Sequence, residues 1–109
     1  MVNHKYGTFS KEQIKDTKVR MQKQIFFLLL CVDEKTKDEY VNVDVNEAFI
    51  DLLTWFGGLN EILSYPSELV RVISLLEEAR QELGKEDFEF SKYRKLILDA
   101  GSEVMRIKE

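Results

Sequence analysis

The sequence predicts an all-α fold: a small bundle of three long amphipathic helices plus one shorter helix, in about four to five helical segments. Three observations predict it. Apolar residues recur at three- and four-residue spacings through most of the chain, the period of a helix face. Only one proline and five glycines interrupt 109 residues. Strand-like alternation occurs once, in YVNVDV at 40–45, with no second candidate to pair with it. A composition of 44% apolar and 33% charged residues is that of a globular protein, and the length has room for one domain over 1–109, its first nine residues a loose segment.

Each helix has its own signals. Ser10 followed three residues later by Gln13 forms a capping box, and Ile14, Met21, Ile25, Leu28 and Val32 mark one stripe, so a first helix is predicted over about 11–31. A charged connection, DEKTKDEY, follows. The 40–45 segment reads as extended chain leading into a helix, with strand pairing across a homodimer as the alternative. Asp44 with Glu47 repeats the capping pattern, and Val45, Phe49, Leu52 and Phe56 predict a helix over 45–56. Gly57-Gly58 is expected to stop it, with a short helical piece over 59–64 before Pro66 opens the third helix. That helix, 66–83, carries Leu69, Val72, Leu76, Ala79 and Leu83 and ends at Gly84. The last, from about 88, carries Phe90, Tyr93, Ile97, Ala100, Val104 and Ile107; Gly101 within it predicts a close crossing or a bend.

IFFLLLCV, at 25–32, raises the question of a targeting signal. It begins only after 24 residues that include Glu12 and Asp16, and Leu30 stands where a lipid-attachment motif wants a small residue before the cysteine. Eight helical residues span only ~12 Å, whereas a bilayer needs about 20 apolar residues. The run is expected to be a helix end entering the core. A lone cysteine, Cys31, offers no intrachain disulfide, and a cytoplasmic setting without membrane attachment is expected.

The net charge of -4 is unevenly spread. Residues 1–32 carry six Lys/Arg against two acids, and 33–70 carry two against nine. Chemistry-bearing groups are scarce. The one histidine, His4, lies in the terminal segment, so Ser-His-Asp and Cys-His arrangements are hard to build. Cys31 at an apolar helix end reads as a buried structural thiol. NVDVN at 42–46 starts like a calcium loop, but Glu47 and Leu53 occupy the places of its glycine and its bidentate glutamate. No Glu-x-x-His pair and no phosphate-binding loop is present. The chain is expected to be non-enzymatic, with no catalytic residues, metal or cofactor.

Two binding readings remain. AFIDLLTWFGGLNEILSYP resembles a helix-turn-helix in outline, but its second helix would present Asn60, Glu61, Ser64 and Tyr65, with no cation for a phosphate. Lys11, Lys15 and Lys18, with Lys5, Arg20 and Lys23 nearby, form a basic side of the first helix that could track a nucleic-acid backbone; this is the alternative reading. The leading one is protein binding. Ile50 and Trp55 lie off the buried stripe, Trp and Tyr are frequent interface anchors, and Trp55, Tyr65 and Ile50 sit among Asp44, Glu47, Asp51 and Glu61. These acids favour a protein partner with a basic surface, and a homodimer is compatible with the stripes. The opposing reading places Trp55 and Tyr65 as lids over the core end. In size, acidity and lack of chemistry the chain is similar to many small accessory proteins of phages and other mobile elements, which implies regulation or inhibition by binding.

Overall fold

Four helices make up most of the chain in the computed structural model, which describes residues 2–4 and 7–108. They are α1 (Lys11–Leu30), α2 (Val45–Ile62), α3 (Ser67–Leu83) and α4 (Phe90–Val104). The fold is an all-α bundle. Within the N-terminal segment two three-residue strands, β1 (Val2–His4) and β2 (Gly7–Phe9), pair antiparallel with Val2 opposite Phe9, and Lys5 lies outside the described residues. Extended backbone there suits the β-branched and aromatic residue types Val2, Thr8 and Phe9.

The helices form a ring in which each packs on its neighbours in sequence and α4 closes on α1. Contacts between named residues give the directions. Low numbers on α1 meet high numbers on α4, from Lys18 with Ile107 through Gln22 with Gly101 to Leu28 with Tyr93. Arg80 with Asn46 and Arg71 with Glu103 make α3 antiparallel to both α2 and α4. The four- and six-residue connections at 63–66 and 84–89 demand this up-down arrangement of α2, α3 and α4, and the longer 31–44 connection joins α1 to it. Its long axis extends 43 Å and its cross-section 23 × 21 Å.

The predicted stripes form the core. Ile25, Phe49, Phe56, Leu69, Val72, Leu76, Ala79, Tyr93, Ile97, Ala100 and Val104 are all fully buried, with Met21 and Leu28 nearly so. Burying a Leu, Ile, Val or Phe side chain stabilises by about 1.5–3 kcal/mol, so this face outweighs the propensities of individual residues. The IFFLLLCV run splits around the helix: Ile25, Leu28 and Cys31 face inward, Phe26, Phe27 and Leu29 are half-buried, and Leu30 is exposed. No helix among the described residues is long and apolar enough to cross a membrane.

Three local expectations need correction. Gly57-Gly58 does not stop α2, which runs through both to Ile62. Two interior glycines cost about 1 kcal/mol each, but Phe56, Leu59 and Leu63 continue the apolar stripe at three- and four-residue spacing and hold the helix to the core. The helix-turn-helix outline therefore dissolves. α2 ends instead in a Schellman turn: the Tyr65 N–H donates to the Asn60 carbonyl (2.8 Å) and the Ser64 N–H to the Glu61 carbonyl (3.2 Å). Ser64 (φ 65°) and Tyr65 (φ 58°) take the left-handed conformation that glycine usually supplies. Pro66 then precedes α3 as its N-cap rather than its first helical residue.

Second, the 40–45 segment is not a strand. A 3₁₀ turn covers Lys37–Tyr40, the Val43 N–H bonds back to the Tyr40 carbonyl (3.0 Å), and the Asp44 carboxylate accepts from the Glu47 N–H (3.2 Å), which draws Val45 into α2. Strand pairing across a dimer falls with it. Tyr40 instead turns its ring edge-on to Phe27, centroids 5.4 Å apart. Third, α4 begins at Phe90 rather than 88. The Glu82 carboxylate, bonded to Lys85 (2.9 Å), accepts from the Glu89 N–H (3.3 Å) and fixes the α3–α4 turn; the Lys85 bond holds Glu82 below the usual carboxylate range.

Gly101 marks the close crossing its position predicts. A Cβ there would stand 2.5 Å from Cε1 of Phe26, so α1 and α4 approach only because the side chain is missing. Gly57 and Gly58, by contrast, have nothing within 4 Å of an added Cβ. Opposite signs follow in chemical denaturation. Gly101→Ala should destabilise by about 1–3 kcal/mol through overpacking and be relieved by Phe26→Leu, while Gly57→Ala and Gly58→Ala should each stabilise by up to about 1 kcal/mol.

Candidate protein-binding surface

A groove of about 470 Å³ opens between α1 and α2. Its α1 wall carries Arg20, Lys23, Gln24 and Phe27, its α2 wall Ala48, Asp51 and Trp55, and Leu28 and Leu52 form its floor. The volume is of the size that small ligands and side-chain anchors occupy. Antiparallel packing explains the composition. Arg20 and Lys23 sit on the edge of α1 turned toward the acidic helix, so the basic and acidic segments face each other across the groove.

The predicted acidic and aromatic residues divide between two places. Glu47, Ile50, Asp51, Thr54, Gly57, Gly58 and Glu61 recur at three- and four-residue intervals and are all exposed, so they form the outer face of α2. Trp55 stands at the edge of that face, half-buried in the groove, its ring centroid 5.3 Å from that of Phe56. Tyr65 is elsewhere. It is 63% exposed in the turn beyond the helix, ten residues or ~15 Å of helix rise from Trp55. Because α2 does not break at the glycines, Trp55 lies mid-helix and the two aromatics form no common lid or patch. Asp44 is exposed and serves as the α2 cap.

The outer face of α2 has features that the single chain does not require. The two glycines leave bare helical backbone where no neighbour needs the space. Ile50 is 42% exposed between two carboxylates. No basic residue lies between Lys37 and Arg71.

The lysine face fares differently. Lys11, Lys15 and Lys23 are exposed, but Lys18 is 4% exposed and donates from Nζ to the carbonyl oxygens of Met105 (3.0 Å) and Ile107 (2.7 Å). Those carbonyls close the C-terminal end of α4, where helix carbonyls lack internal partners and a cation is favoured. The expected row of three lysines thus loses its last member, and Lys11 and Lys15 stay on the surface. The sequence holds the signal: Lys18 fills the gap in the α1 stripe between Ile14 and Met21.

Nothing else among the described residues gathers chemistry. No group of three His, Cys, Asp or Glu side chains could hold a metal ion. Cys31 is a free thiol whose burial pushes its pKa up. Tyr93 is buried, its phenol likewise pushed up, and its hydroxyl donates to the Leu28 carbonyl (2.7 Å). Comparisons with family models, curated proteins and solved structures yield no match.

Lys18 is a structural residue on this geometry. Lys18→Met should lower stability to urea by about 1–3 kcal/mol, the cost of leaving buried carbonyls unpaired, whereas Lys11→Met and Lys15→Met should change it by no more than about 0.5 kcal/mol.

Proposed function

We propose that the protein acts without catalysis, by binding another protein through the outer face of α2 and the adjoining α1–α2 groove. The observation that supports this reading is the α2 surface itself. Exposed Ile50 and bare backbone at Gly57-Gly58 share the outer face of one helix that carries no positive charge, and half-buried Trp55 stands at the edge of that face beside Asp51. A single exposed isoleucine is ordinary. Two interior glycines that lower helix stability and serve no internal contact make sense where a second surface approaches the backbone. Trp55 is the natural anchor, because a large ring at the mouth of a groove gains contact area with little loss of side-chain freedom.

The flanking carboxylates Glu47 and Asp51 direct this face toward a surface with exposed lysines or arginines. Tyr65, remote from the groove, is left out of the site. Nucleic-acid binding through α1 is the weaker reading, since it retains Lys11, Lys15 and Lys23 but loses Lys18 to the core.

Affinity capture from the native host, with and without nuclease, tests the reading. The expected result is a stoichiometric, nuclease-resistant partner, either a different protein or an untagged copy, that is lost on Trp55→Ala combined with Asp51→Lys while helical content is kept. Capture that survives the double substitution, or that nuclease abolishes, counts against it.

A further inference from the structure

We infer that the partner seated on the α1–α2 layer is a second copy of this chain, related by a two-fold axis parallel to the helices. The inference rests on the protein-binding reading above and gives its occupant. Its basis is the placement of unpaired charge. Arg20 and Lys23 on α1 and Glu47 and Asp51 on α2 make no ion pairs with one another or with any other described residue. They form two parallel rows of opposite sign on one side of the molecule, with the Trp55 groove between them.

Such a surface is complementary to itself, which is what a two-fold interface requires. Two orientations are possible when two of these layers meet face to face. An axis across the helices stacks α1 on α1 and α2 on α2, setting like charges against each other. An axis along the helices stacks α1 of each copy on α2 of the other and leaves every residue at its own height. Within one chain, antiparallel packing already puts Arg20 and Lys23 at the level of Asp51 and Trp55, across the groove. The second orientation therefore brings those same rows together between copies, opposite charge to opposite charge.

The apolar residues agree with it. Val19, 40% exposed, lies one turn before Lys23, and Ile50, 42% exposed, lies beside Asp51, so each charge row carries an exposed aliphatic next to its charge. Bare backbone at Gly57 and Gly58 lets the α1 of the other copy approach α2 closely.

Charge reversal in the full chain, read by sedimentation velocity at micromolar concentration, tests this. The wild type should be a dimer, weakened by added salt. K23E and D51K should each raise the dissociation constant by at least about tenfold, because each sets like charges together twice per dimer. An equimolar mixture of K23E and D51K chains should dimerise again, since every facing pair is then opposite in sign. Circular dichroism monitors folding; if either reversal disturbs it, Lys23→Gln should still weaken the dimer and reduce its salt dependence, and an unchanged affinity overturns the inference. A monomeric wild type, a dimer indifferent to both reversals, or a mixture that stays monomeric also overturns it. A monomer that nevertheless captures a different protein through Trp55 overturns the dimer while leaving protein binding intact.

Discussion

The first helix is tied to the last by side chains that bond to the opposite backbone, and this seam closes the ring of four helices and sets its register. Lys18 reaches the carbonyls of Met105 and Ile107, Gln22 reaches that of Gly101 (3.1 Å), and Tyr93 donates back from α4 to Leu28. These contacts are spaced along the full overlap of the two helices and join residues 65 to 89 positions apart. Apolar packing alone tolerates a slide of one turn; side-chain bonds to particular carbonyls do not. Gly101 beneath Phe26 adds a steric key, because the ring fits where a Cβ is missing and not a turn away. Once α1 and α4 are fixed, α2 and α3 complete the ring through their stripes of Phe49, Leu52, Phe56, Leu69, Val72 and Leu76.

A helix locked on one side is free to be open on the other. α1 gives its best-fitted face to α4, and toward α2 it shares only the groove floor while Arg20 and Lys23 stand at the rim. The charge asymmetry of the sequence thereby becomes spatial: a basic edge and an acidic face run side by side. The two exposed interior glycines lie on the same acidic face of α2.

Much of this was legible in the residues themselves. The period of the apolar stripes located all four helices, Ser10 with Gln13 placed the start of α1 to the residue, and Gly101 was visible as a crossing point. Gly57-Gly58 misled because propensity is a local quantity: it reports a cost of about 1 kcal/mol per glycine and knows nothing of Leu59 and Leu63 continuing the stripe beyond. The actual stop, at Ser64 and Tyr65, uses left-handed residues that are seldom anything but glycine. Lys18 misled in the opposite sense, since lysine is read as surface by type although its position lay on the buried stripe. The groove was not legible, because it depends on how α1 and α2 are set against each other by residues far away in sequence. Trp55 and Tyr65 would be neighbours only if α2 broke at Gly57-Gly58, and the helix runs through both.

The central claim is that α1 and α4 form one cooperative unit through their seam. Native-state amide hydrogen exchange measures this directly. The slowest amides of α1, around Met21 to Leu28, and of α4, around Tyr93 to Val104, should exchange with equal opening free energies. Both sets should fall together in the Lys18→Met chain. If the α4 amides open while those of α1 stay protected, or if only one helix responds to the loss of Lys18, the seam is not what holds the bundle in register.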